Sequence, residues 1–139
     1  MKRILVTGAA GGVARQIRPL LRADYLLRLS DIVPVTDAID GDEVVLAELS
    51  DIEAVRTAVA GVDGILHLGG FPVETSWEII CQANILGAYN LFEAARLEGV
   101  KRVVFASTNH VVGFYRRDET ISDDVTVRPD TRYGSSPCR

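Results

Sequence analysis

The stretch Ile4-Leu5-Val6-Thr7-Gly8-Ala9-Ala10-Gly11-Gly12-Val13-Ala14 decides the fold. Residues 4–6 are a short apolar run, the pattern of a strand buried on both faces. The run enters a turn with glycines at 8, 11 and 12, and residues 12 to about 22 read as a helix. Its apolar side is expected to carry Val13, Ile17, Leu20 and Leu21. Pro19 lacks a backbone donor and is expected to kink or shorten this helix. A strand that feeds a glycine turn and then a helix is suited to holding a phosphate. The first helical N–H groups have no partner, the dipole points its positive end at the turn, and missing side chains let an anion approach the backbone. The spacing is G-x-x-G-x-x-A, not the G-x-G-x-x-G fingerprint, so the glycines alone also fit a plain strand-to-helix turn.

The next strand narrows the choice. Residues 25–30 read as a strand that ends at Asp31, close to the ~20-residue spacing expected for an acid that takes the adenosine ribose of a dinucleotide. A carboxylate there accepts hydrogen bonds from the ribose hydroxyls and repels a 2′-phosphate, so NAD is expected rather than NADP. The plainer alternative is a solvated acid at a strand end. Arg28 precedes the strand end and is poorly placed to serve a 2′-phosphate.

Further along, residues 43–49 read as a third strand. Ser50 to Glu53 fits a capping box with Ser50 as N-cap, opening a helix that stops near Gly61. Residues 64–68 form a fourth strand, ending in Leu68-Gly69-Gly70, where small residues let the cofactor's sugars lie against the backbone. Thr75 to Glu78 fits a second capping box, opening a long helix to about Glu98 that Gly99 stops. Trp77 and Tyr89 on it are expected to pack rather than bind. Residues 103–106 form a fifth strand, ending at Ser107-Thr108-Asn109-His110. Residues 111–132 read as a long polar loop, and loops of that length inside a compact domain are usually functional. The order β-α-β-β-α-β-α-β predicts an α/β protein with a Rossmann-type doubly wound parallel sheet. Ligands in such sheets bind outside the carboxyl ends of the strands, which places the polar quartet 107–110 well.

Bulk properties agree. The 139 residues fit one domain, spanning 1–139. Apolar residues make up 47% and charged residues 24%, as in an ordinary soluble globular protein. The net charge is -4, with no basic run, which argues against nucleic acid and anionic membranes as partners. No apolar stretch reaches the ~20 residues of a membrane span, and residues 1–6 are too short for a signal peptide. Cys81 and Cys138 lie far apart without metal-ligand spacing, so no metal site or disulfide is expected and the cytoplasm is the expected compartment.

These pieces together resemble the extended short-chain dehydrogenase/reductase family, which includes the NAD-dependent epimerase/dehydratases. The resemblance covers the whole chain and rests on TGAAGG (7–12), Asp31, HLGG (67–70), the helix with Asn84 and Gly87, FASTNH (105–110) and Arg132-Tyr133-Gly134. HLGGFPVE (67–74), NILGAYNLFEAAR (84–96) and FASTNHVVGFY (105–115) look most like the uronate dehydrogenases within it. The resemblance implies an NAD-dependent oxidation of the anomeric carbon of a hexuronic acid to an aldarolactone. It implies that Tyr133 takes the hydroxyl proton, Thr108 orients the same oxygen, and Asn109, His110 and Pro72 face the sugar. It further implies a cofactor lining of Gly8, Gly11, Gly12, Val13, Asp31, Ile32, Glu48, Leu49, Leu68, Gly69, Gly70, Phe71, Asn84 and Ser107. A sugar-nucleotide epimerase or dehydratase, or a non-catalytic nucleotide-binding fragment, are the alternative readings.

The departures from the pattern are specific. The family motif is Tyr-x-x-x-Lys, and here Pro137 stands at the lysine position. A free phenol ionises near pH ~10, and proline supplies no cation to lower that value. Turnover by this chain is therefore expected to be impaired. Pro72 replaces a serine, Glu48 an aspartate and Ala14 the third glycine. Family members run to roughly twice this length, two domains by the usual size prior. The chain is thus expected to be an N-terminal half, with a frameshift or truncation at residues 135–139 and no family helix after Tyr133. The substrate-binding part would be missing, and homo-oligomerisation would cover the sheet edge and helix faces left bare.

Overall fold

A computed structural model describes residues 1–138. Five strands form one sheet in the order β3-β2-β1-β4-β5, every pair parallel. They are β1 (Lys2–Thr7), β2 (Tyr25–Asp31), β3 (Glu43–Leu46), β4 (Gly64–His67) and β5 (Val103–Phe105). The helices are α1 (Gly12–Leu21), α2 (Ile52–Val59), α3 (Trp77–Ile80), α4 (Gly87–Leu97) and the single turn α5 (Arg132–Ser135).

The continuous apolar runs explain the layering. Successive side chains of a strand point to opposite faces. Leu5 and Ile65 therefore join Val55, Ala58 and Val59 of α2 and Leu91, Ala94 and Ala95 of α4 in one core. Val6 and the pair Leu27 and Leu29 point the other way and pack with Ala9, Ala14 and Val35. Both faces of the central strands are covered, as the doubly wound reading requires. The strand order reverses between β1 and β4. A crevice opens there at the carboxyl ends of the strands.

Several local expectations are corrected. The α1 helix runs through Pro19 to Leu21, and its inward face is only partly the one predicted: Leu21 packs against the core and Ile17 is half-buried. Val13 is 60% and Leu20 74% exposed, whereas Ala14 and Arg18 are buried. Arg18 is accommodated by an ion pair with Asp37, which the apolar pattern could not reveal. The third strand stops at Leu46, because Ala47 bonds back to the Asp31 carbonyl and the chain turns toward the crevice. The N-cap of α2 is Asp51, not Ser50: its carboxylate accepts from the N–H groups of Glu53 and Ala54. Ser50 instead donates to Glu48 at 2.8 Å. The second capping box also shifts, since Ser76 precedes the first helical residue and Thr75 lies outside. The predicted long helix is α3 and α4 joined by a π-helical segment, Cys81–Leu86. Trp77 and Tyr89 lie outside the core, being 52% and 65% exposed. A single helical turn, α5, follows Thr131 and carries Tyr133.

Candidate functional site

The crevice between β1 and β4 is a cleft of about 640 Å³. Its floor is the turn between β1 and α1. Gly8 adopts φ +65, and a Cβ on it would lie 2.7 Å from the carbonyl carbon and oxygen of Leu68. Only glycine lets the two strand ends approach so closely. Gly12 differs, because a Cβ there meets nothing within 4 Å. Its missing side chain is not filled by protein, and it lies on the cleft wall. No side chain caps α1, and its first turn carries no acid. The helix thus presents free N–H donors and its positive dipole end to the cleft.

Asp31 lies on the same wall. One carboxylate oxygen accepts from the Ala10 N–H at 2.9 Å, and the other from Ile32 at 2.8 Å and Val33 at 3.4 Å. This side chain ties the glycine turn to the end of β2 and fixes its own orientation. Arg28 is committed elsewhere, bonding Glu43 and the carbonyls of Ala58 and Ala60. Ile32, Glu48, Leu49, Leu68, Gly69, Gly70, Phe71 and Pro72 complete the predicted lining that the cleft brings together.

The ends of β1 and β4 are joined by one hydroxyl. Thr7 Oγ1 accepts from the Gly69 N–H at 3.1 Å and lies 2.7 Å from His67 Nδ1. One hydrogen lies between the two groups, and the tautomer of His67 sets which of them donates it. Burial pushes His67 down to about 4 from its ordinary 6.5. The folded state binds fewer protons than the unfolded chain between those values. Stability is therefore lost as pH falls from 6.5 toward 4. About 3 kcal/mol is expected to go, read as midpoint shifts in urea unfolding, and His67→Gln should lose less over that interval. Equal losses in both proteins would remove His67 from the acid response.

A second cavity of about 230 Å³ adjoins the cleft. It is lined by Asn84, Ser107, Thr108 and Tyr133 of the predicted set, and by Pro137. The π-helical segment aims Asn84 at the loop after β4. Its Oδ1 accepts from the Phe71 N–H at 2.6 Å, and its Nδ2 donates to the Phe71 carbonyl at 3.1 Å and Ser136 Oγ at 3.3 Å. Asn84 is thus a clasp between this loop and the Tyr133 turn. Thr108 caps a 3-10 turn, Asn109–Val112, accepting from the His110 N–H at 3.3 Å. Asn109 and His110 line neither cavity; they stand beside Tyr133, whose ring meets the His110 ring edge-on with centroids 5.8 Å apart.

Three contributors were missed in the sequence. Glu74 accepts from the Tyr133 N–H at 2.9 Å. Thr131 caps the turn that carries Tyr133. Asp130 lies 2.9 Å from His110 Nδ1, and that imidazole holds its carboxyl below the usual carboxylate range. Glu74 stood inside the quoted HLGGFPVE segment, but nothing local marks a residue for a contact 59 positions away. Among the described residues, no three His, Cys, Asp or Glu side chains are placed to hold a metal ion. Nor is any helix long and apolar enough to cross a membrane.

Sheet order, glycine turn and crevice define a Rossmann-type α/β domain. The sequence matches a family model over residues 4–136, and the chain belongs to the NAD dependent epimerase/dehydratase family. It is 51% identical over 136 residues to a uronate dehydrogenase of Pseudomonas syringae pv. tomato, covering 96% of this chain and 50% of the relative. It is 50% identical over 139 residues to one from Agrobacterium fabrum, covering 99% and 52%. The crystal structure of uronate dehydrogenase from Agrobacterium tumefaciens superposes with TM-score 0.95 at 50% identity, over 99% of this chain and 52% of that one. A point mutant of that enzyme complexed with NAD superposes equally well. The chain spans about half the length of the curated relatives it matches.

Proposed function

We propose that this chain is the NAD-binding half of a uronate-dehydrogenase-type oxidoreductase, which oxidises the anomeric carbon of a hexuronic acid to an aldarolactone. The observation that carries the reading is the empty space over Gly12, beside an uncapped helix terminus and Asp31. These residues fit a dinucleotide: Gly8, Gly11, Gly12 and Val13 would meet its diphosphate. Asp31 and Ile32 would meet the adenosine ribose, and Glu48 and Leu49 the adenine. Leu68, Gly69, Gly70 and Phe71 would lie against the nicotinamide side, with Ser107 beside them. Asn84 enters this proposal through its grip on Phe71 and Ser136. Bound NAD supplies the hydride acceptor.

Tyr133 takes the proton of the substrate hydroxyl in this reading. Thr108 orients that oxygen, and Asn109, His110 and Pro72 bind the sugar acid. Pro137 lines the same cavity as Tyr133 and brings no cation. The two free cysteines fit a reducing, cytoplasmic compartment. Self-association belongs to the proposal as well, since Tyr89, Leu97 and Val104 remain exposed.

The test follows NADH absorbance after adding D-glucuronate or D-galacturonate to the chain with NAD. The Pro137→Lys variant is expected to turn over at least about tenfold faster than the parent at neutral pH, an effect of one pKa unit on the base. NADH formed from neither uronate by either protein, with conversion of a UDP-sugar instead, would reject this reading for the epimerase alternative.

A further inference from the structure

Both histidines of the chain contact a hydroxyl or carboxylate through Nδ1, and only the carboxylate fixes the direction of the bond. The Thr7 hydroxyl can give a hydrogen to His67 Nδ1 or take one from it. Asp130 cannot give one to His110. Held below the usual carboxylate range by His110 and a hydrogen bond from Thr131, Asp130 is ionised at neutral pH and accepts only. The hydrogen between them therefore belongs to His110 Nδ1. In the neutral ring that leaves Nε2 with a lone pair and no hydrogen. This is the minor form of a free imidazole side chain, so the contact selects it.

The surroundings hold the pair in place. A Cβ on Gly113 would lie 2.2 Å from the Asp130 carboxyl carbon, and one on Gly134 would lie 2.5 Å from the His110 carbonyl oxygen. The carboxylate is thus packed against the end of the 3-10 turn, while the turn carrying Tyr133 is packed against His110. The Asp130 N–H also reaches the His110 carbonyl, and the Arg128 N–H bonds the Val111 carbonyl at 2.8 Å. These two backbone contacts fasten segment 128–130 to segment 110–111. The Tyr133 ring also meets the imidazole, edge-on.

We propose that Asp130 is a positioning residue: it keeps the hydrogen of His110 on Nδ1 and presents Nε2 as the acceptor for a hydroxyl of the sugar substrate. The contact is then directional, with the hydroxyl donating and the imidazole accepting. A carboxylate that fixes a neighbouring imidazole's tautomer is a known way of orienting histidine, and the wrong tautomer is costly even where geometry survives. Only the owner of that hydroxyl rests on the uronate reading.

The test is a long-range proton–nitrogen correlation spectrum of the 15N-labelled chain, at a pH where both rings are neutral. The signals are assigned with His67→Gln and His110→Gln. His110 is expected with its hydrogen on Nδ1. Asp130→Ala should return His110 to the Nε2–H form. It should also weaken D-glucuronate binding to the NAD-loaded chain at least about fivefold, the order lost with one hydrogen bond, while NAD affinity is unchanged. An Nε2–H tautomer for His110 in the parent chain overturns the proposal, whether or not the chain binds NAD. An Nδ1–H tautomer in a chain that binds neither NAD nor uronate upholds Asp130's hold on the ring and rejects the functional reading instead. Should Asp130→Ala fail to fold, the parent tautomer alone decides.

Discussion

Gly8→Ala is expected to destabilise the chain by roughly 2–5 kcal/mol, measured by urea unfolding, and to abolish NAD binding. Two separate costs produce this. The backbone sits at φ +65, where a Cβ crowds the following carbonyl, at about 1–2 kcal/mol. The same Cβ would lie 2.7 Å from the Leu68 carbonyl carbon and oxygen, a backbone obstacle that cannot rotate away. Separating β1 from β4 to relieve that contact would pull Thr7 from Gly69 and His67, where its hydroxyl makes two hydrogen bonds. Stability within ~0.5 kcal/mol of the parent, the range of an ordinary surface change, would show that the turn is not built as described.

Asp31→Ala is expected to weaken NAD binding by roughly 1.5–3 kcal/mol, the scale of hydrogen bonds to a charged group. It should also lower stability, because the N–H groups of Ala10, Ile32 and Val33 lose their acceptor together. Asp31→Asn separates the two roles. An amide oxygen can still accept from the backbone, but the charge that repels a 2′-phosphate is gone. Calorimetric titration should therefore show a smaller loss for NAD and a reduced preference over NADP. Unchanged NAD affinity in the alanine variant would place the adenosine ribose elsewhere.

The parts of this molecule legible in the sequence share a physical cause. The run 4–6 is apolar because both faces of the central strands are covered, and the burial of Leu5 against one core and Val6 against the other follows directly. Gly8 and Asp31 were legible because a tight turn and a strand-end carboxylate each require one residue type at one spacing. What was missed depends on partners distant in sequence. Arg18 is buried only because Asp37 comes from the next loop, so an apolar stripe through Val13 and Leu20 was the wrong face. Val13 is exposed because it looks into the cleft. The π-helical segment leaves no mark in the hydrophobic period, yet it aims Asn84 at Phe71. Asp51 outcompeted Ser50 as a cap because both are good cap residues one position apart, and only the backbone path after β3 decides between them. Glu74 and Asp130 support Tyr133 and His110 across 59 and 20 positions, beyond any local pattern.

The most direct test of the account is calorimetric titration of NAD into the parent chain and into Gly12→Val. A Cβ at residue 12 meets no atom within 4 Å beyond its chain neighbours and its own helix, so the fold should be kept and the unfolding midpoint nearly unchanged. The same side chain would occupy the space claimed for the diphosphate. The account predicts that the parent binds NAD and the folded variant does not. Equal binding by both proteins, or no binding by the parent, would contradict it.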